Sequence, residues 1–122
     1  MKEHESDTLS KTNRINLLFD FYEPLLTEKQ RTFLKYYFLD DFTLGEIAAE
    51  SGISRQAVYE HIKRAEQVLE SYESKLGLLA KHELLMRHAE ELTLTVKRLT
   101  LPQEREKQLL AGIERLRDRT ND

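Results

Sequence analysis

Ten consecutive residues, "RQAVYEHIKR", set out Arg55, Gln56, Tyr59, Lys63 and Arg64. Glutamine can bond an adenine edge in bidentate fashion, and arginine can do the same to guanine. Lysine, arginine and the tyrosine hydroxyl suit phosphate oxygens. The chemistry on offer is recognition of nucleic acid, with no bond made or broken. On a helical wheel of about 100° per residue, Val58, Ile62, Ala65 and Leu69 cluster on one side. Gln56, Glu60, Lys63 and Gln67 fall on the opposite side, flanked by Tyr59 and Arg64, with Arg55 in the first turn. The same outer face also suits the plain solvated surface of a small helical unit. Glu60 on that face, and only a small basic excess over residues 54–64, favour this second reading.

Other chemistry finds less support. The chain has no cysteine, which excludes disulfides, thiolate metal sites and cysteine nucleophiles. His82 and His88 are six apart and so face different sides of a helix; no metal site is expected. Asp40-Asp41 reads as a helix end. Ser51 and Ser54 lack a nearby His–Asp arrangement, and there is no glycine-rich phosphate loop. The reading is therefore a non-enzymatic protein without cofactors.

The elements that position these side chains are helices. The chain has 122 residues, 39% of them hydrophobic and 34% charged, with four glycines and two prolines. Amphipathic helices wet on one side account for such a mixture, and the scarcity of turn residues argues against an all-β fold. No apolar run approaches the ~20 residues of a membrane span, and the polar start "MKEHESDTLSKTN" is no secretion signal. A cytoplasmic protein without membrane insertion is the simplest expectation. The net charge of −3 speaks mildly against a strong stand-alone nucleic-acid binder.

Along the chain, residues 1–12 read as a loose, flexible tail. Ile15, Leu18, Phe19 and Tyr22 then recur at helical spacing up to Pro24. Thr27 with Gln30, and Thr43 with Glu46, form two capping boxes, and Ser54 is a third N-cap. Phe33, Leu34 and Tyr37 line the inner side of the first capped helix. Between the second and third caps, Ala48 is the small residue where two helices would cross, and Gly52 suits a left-handed turn. Ile53 is expected to plug the corner. Ile47, Val58 and Ile62 complete the helix-turn-helix core. Residues 13–75 are thus expected to be the only compact unit, with residues 76–122 a C-terminal helical extension. A break is expected near 77–84, and Pro102 starts a last helix with Leu109, Ile113 and Leu116 inside.

"LTEKQRTFLKYYFLDDFTLGEIAAESGISRQAVYEHIKRAEQVLE" resembles the last DNA-binding domain of bacterial sigma factors, region four. More closely, "LFDFYEPLLTEKQR", "LDDFTLGEIA" and "SRQAVYEHIKRAE" resemble the YlxM family of small helix-turn-helix proteins, over roughly residues 12–80. Members are usually encoded beside the signal recognition particle GTPase. The resemblance implies an all-α fold and a regulatory role linked to that pathway. It leaves two partners open. One is DNA, with RNA as a variant of that chemistry. The other is a signal recognition particle component, protein or RNA, met by an accessory protein that binds no DNA.

The remaining apolar stripes suggest a homodimer. Leu69, Tyr72, Leu76 and Leu79 run beyond the reach of the helix-turn-helix core, and Leu85, Ala89, Leu92, Val96 and Leu99 continue the pattern. The expected dimer seam is therefore Leu69, Tyr72, Leu76, Leu79, Leu85, Leu92 and Val96. The monomeric escape is a hairpin folding back near Gly77, closed by the Pro102 helix.

Overall fold

The computed structural model describes the backbone of residues 2–119 and the side chains of residues 9–118. The described residues form six α-helices and no strand: α1 (Lys2–Tyr22), α2 (Glu28–Leu34), α3 (Leu44–Ser51), α4 (Arg55–Leu76), α5 (Leu78–Arg98) and α6 (Gln103–Arg119). They divide into two compact units, residues 1–77 and 78–122. This corrects the expectation of a single compact unit: the C-terminal segment forms a unit of its own. Residues 2–12 of the segment expected to be a loose tail lie within α1, and residue 1 lies outside the described residues.

Each start and stop in the first unit has a local cause. α1 ends at Tyr22 because Pro24 disfavours helical geometry before it, and a single 3-10 turn, Glu23–Leu25, follows. Both capping boxes form. Gln30 N–H donates to Thr27 Oγ1 at 3.2 Å, and Thr27 N–H donates to the Gln30 amide at 2.9 Å. Glu46 N–H donates to Thr43 Oγ1 at 3.1 Å, and Thr43 N–H to the Glu46 carboxylate at 3.0 Å. α2 widens into a π-helical turn, Lys35–Leu39, and the chain reverses at Asp41 with φ +57°. Tyr36 and Phe42 stack across this turn with ring centroids 5.0 Å apart.

Phe33, Ile47, Val58 and Ile62 form one buried cluster, with Tyr36, Phe38, Phe42, Leu44 and Ala48 packed against it. α1 lies along α4. Tyr22 OH donates to Glu73 Oε1 at 2.6 Å, and Arg14 grips Glu70 with two bonds of 2.7 and 2.9 Å. The Arg14 guanidinium holds the Glu70 carboxyl below its ordinary pKa, against the opposing effect of partial burial.

This packing corrects the expected seam. Leu69 is fully buried on the length of α4 that α1 covers. Tyr72 is half-buried, with its ring 5.8 Å from Tyr22 and its hydroxyl donating to the Leu25 carbonyl. In the second unit, Leu79 is buried, and Val96 packs with Ala89 and Ile113. These four residues face the chain's own interior. Leu76, Leu85 and Leu92 remain exposed or half-buried. α1 and α6 supply the cover that the stripes lacked in the sequence.

Gly52 sits at φ +71° and closes α3, its N–H donating to the Ala48 carbonyl at 2.9 Å. No neighbour would meet an added Cβ there, so only the backbone opposes substitution. Gly52→Ala is expected to cost roughly 1–2 kcal/mol, the left-handed penalty of an L-residue. Chemical denaturation followed by circular dichroism checks it; unchanged stability would contradict the strained-turn account.

Candidate nucleic-acid interface

The α3–turn–α4 unit positions the candidate side chains. Ser54 Oγ accepts from Ala57 N–H at 3.0 Å and fixes where α4 begins. Val58 and Ile62 point into the core, so the opposite side of α4 is held outward. The backbone closes the corner: Ile53 N–H, like that of Gly52, reaches the Ala48 carbonyl, here at 3.3 Å. The Ile53 side chain is exposed, which corrects its expected place as the plug. Ile47, Val58 and Ile62 are buried as the core expectation had them, and Ala48 is partly buried against them.

Arg55, Gln56, Tyr59 and Arg64 are exposed, and Lys63 is half-buried. Arg55 folds back over α3. A Cβ built at Gly45 would lie 3.1 Å from Arg55 Nε. Gly45 therefore makes room for the guanidinium, a role missed in the sequence, where a small residue early in a capped helix was the available signal. Lys63 Nζ stands 5.7 Å from the Tyr59 ring centroid and 3.8 Å from Glu66.

Glu60 sits between Gln56 and Arg64 in one row of the helix. Its carboxylate accepts from the Gln56 amide at 3.5 Å and lies 3.9 Å from Arg64 Nη2. Both partners are exposed, so these contacts are weak and replaceable. Glu60 braces the row and partly neutralises it.

Two features come from outside the motif. Glu66 is the one buried charged residue among those described, and it binds Lys11 of α1 at 3.4 Å as well as Lys63. A second basic side chain is thereby set beside α4, at a cavity of about 200 Å³ lined in part by Tyr37, Tyr59 and Lys63. The sequence reading missed Lys11 because it placed that residue in a tail. His61 stacks on Phe33 with centroids 5.0 Å apart and planes 9° from parallel. Partial burial, then the charges of Lys29 and Arg64, push its pKa down. Stacked in this way, the ring serves as an aromatic plate against Phe33.

The arrangement can offer hydrogen-bonding and cationic groups to a polyanion. Among the described residues, no group of three His, Cys, Asp or Glu could hold a metal ion, and no helix is long and apolar enough to cross a membrane.

Comparison with known proteins agrees with the helix-turn-helix fold. Residues 9–112 match the model of the helix-turn-helix family described as YlxM / p13 like, so the match runs well past residue 80, where the sequence resemblance stopped. A UPF0122 protein of Exiguobacterium sibiricum is 56% identical over 97 residues, covering 80% of this chain and 88% of its own. A UPF0122 protein of Bacillus thuringiensis is 49% identical over 108 residues, covering 88% and 98%. One from Halalkalibacterium halodurans is 65% identical over 75 residues, covering 62% and 69%. A helix-turn-helix unit with a capped second helix, followed by a helical C-terminal unit and matched over most of its length, places this chain in the YlxM / p13-like family.

Proposed function

We propose that this chain is a non-enzymatic, DNA-binding regulatory protein of the cytoplasm that works as a homodimer. The observation that carries the reading is the outward row of α4: Arg55, Gln56, Tyr59, Lys63 and Arg64 are presented by a helix whose other face is locked in a core. Arg55 and Gln56 lie in the first turn, where a recognition helix meets base edges in the major groove. Lys63, Arg64 and Tyr59 suit the phosphates on either side. Region four of sigma factors, which the motif resembles, offers an analogy for this docking. The chain's link to the signal recognition particle pathway rests on the family resemblance, since members are usually encoded beside that particle's GTPase.

A specific observation supports the accessory reading. Glu60 occupies the middle of the row and engages both Gln56 and Arg64. A carboxylate there repels phosphate, and the chain as a whole is acidic. In that reading the same surface contacts a signal recognition particle component, protein or RNA.

Electrophoretic shift assays separate the two. Arg55→Ala is expected to relax sequence preference by roughly 1–3 kcal/mol, as loss of a base contact does. Lys63→Ala is expected to weaken all duplexes alike and lower the salt slope by about one. If the wild type binds duplex DNA and neither change weakens it, the site lies elsewhere. If it binds no duplex, and tagged protein recovers particle RNA or protein from lysate, the accessory reading stands.

A further inference from the structure

We infer that the C-terminal unit pairs with a second copy of itself through one face of the α5–α6 hairpin, lined by Leu85, Leu92, Leu99, Leu109 and Leu116. This deepens the dimer part of the reading above and does not depend on the nucleic-acid part.

The first observation is where the large side chains lie. Between α5 and α6 the buried residues are Ala89, Val96 and Ile113, with Leu101 and Leu110 partly buried. The leucines Leu92, Leu99, Leu109 and Leu116 are instead 48–55% exposed. A two-helix hairpin complete in itself would place its bulkiest apolar groups between the helices. Here the apolar arc of each helix is wider than one neighbour can cover, which is the pattern of a helix in a four-helix bundle.

The second observation is that these leucines share a face. On α5, Leu85 and Leu92 lie about 40–60° to one side of Ala89, and Leu99 follows directly after the last helical residue, Arg98. On α6, Leu109 and Leu116 lie about 40–60° to the same rotational side of Ile113. The short link 99–102 makes the two helices antiparallel, so the same rotational side on both becomes one face of the hairpin. Each helix repeats its leucine every seven residues, the spacing of a bundle seam.

The third observation is size. The unit spans residues 78–122, and a unit this small, with four buried apolar side chains among its described residues, has little core of its own; oligomerisation is a usual remedy. The 21 residues of α5 make the face about 30 Å long at ~1.5 Å per residue. Two helices side by side make it about 20 Å wide. The flat projection of roughly 600 Å², enlarged by its corrugation, is of the order of the ~800 Å² per partner in a stable complex.

The occupant follows from the chemistry of the face. Lys81 closes the stripe at one end and Arg105 lies beside the link at the other. Among the described residues between them the stripe carries no charged side chain, and His88 at its edge pairs outward with Glu91 at 3.6 Å. There is no charge for a partner to match, only leucine at a fixed repeat. An identical stripe turned over by a two-fold axis meets that repeat with itself and is present at equal concentration.

Sedimentation equilibrium of the full chain at micromolar concentration tests this. The expected mass is twice the single-chain 14.4 kDa, and Leu92→Glu with Leu109→Glu should return it to the single-chain value with helicity kept. Because the chain has no cysteine, a single introduced thiol is a clean second probe that tolerates a folding defect in the charged variant. Leu92→Cys treated with a flexible bismaleimide should give a band of doubled mass. Leu94→Cys, equally exposed on another side of α5, should not. A wild-type mass of one chain overturns the inference, as does a dimer in which Leu92→Cys and Leu94→Cys cross-link alike. DNA shift assays read the other proposal separately.

Discussion

Replacing Leu69 with alanine should destabilise the first unit by about 2–5 kcal/mol, the range for a fully buried leucine truncated in a core. Leu69 has no exposed surface. Its neighbours on α4, Glu66, Glu70 and Glu73, bond to Lys11, Arg14 and Tyr22 of α1, so α1 lies over it. A domain's whole stability is of order 5–15 kcal/mol. The melting temperature should therefore fall by roughly 10 °C or more, since ~1 kcal/mol shifts a unit of this size by about 4–8 °C. The drop should be the same at low and high protein concentration. A seam residue would behave otherwise, because melting of an interface depends on concentration by mass action. Thermal melts by circular dichroism over a hundredfold concentration range decide the matter; a loss that appears only at low concentration would return Leu69 to a dimer seam.

The second large effect is on binding. A dimer that presents Lys63 and Arg64 twice would neutralise about four phosphates. Log affinity should then fall against log salt with a slope of about −3.6, since each phosphate contributes about 0.9 on duplex DNA. Raising salt from about 50 to about 200 mM should weaken binding by roughly 10²-fold. Glu60 and Glu66 already engage Arg64 and Lys63, so a shallower slope is the direction of any departure. A slope near zero, measured by fluorescence anisotropy on a labelled duplex, would remove the polyanion reading of α4 altogether.

Much of the fold was legible because its signals are local. Thr27 with Gln30, Thr43 with Glu46, and Ser54 each bond a backbone three residues away, so a short window contains the whole interaction. Gly52 and Gly77 adopt the left-handed backbone where glycine has least to lose. The outward presentation of Arg55, Gln56 and Tyr59 follows from the inward period of Val58 and Ile62. Lys11 and Gly45 escaped notice because their roles depend on contacts with Glu66 and Arg55, far along the chain.

By itself, the sequence determined that this protein is all-α, where most helices begin and end, and which stripe of each helix is apolar. Periodicity and capping are properties of a single helix, and side chains three or four residues apart enforce them. Only the tertiary structure decided what covers each stripe. Leu69 and Val96 have the same seam-like spacing as Leu92, yet the first two are buried within the chain and the third is not. An apolar stripe is favoured against any apolar surface, because the hydrophobic effect is non-directional. The choice among α1, α6 and a second chain turns on which helices the connections and packing bring alongside. The long pairings of Arg14 with Glu70 and Tyr22 with Glu73 record that choice in this molecule.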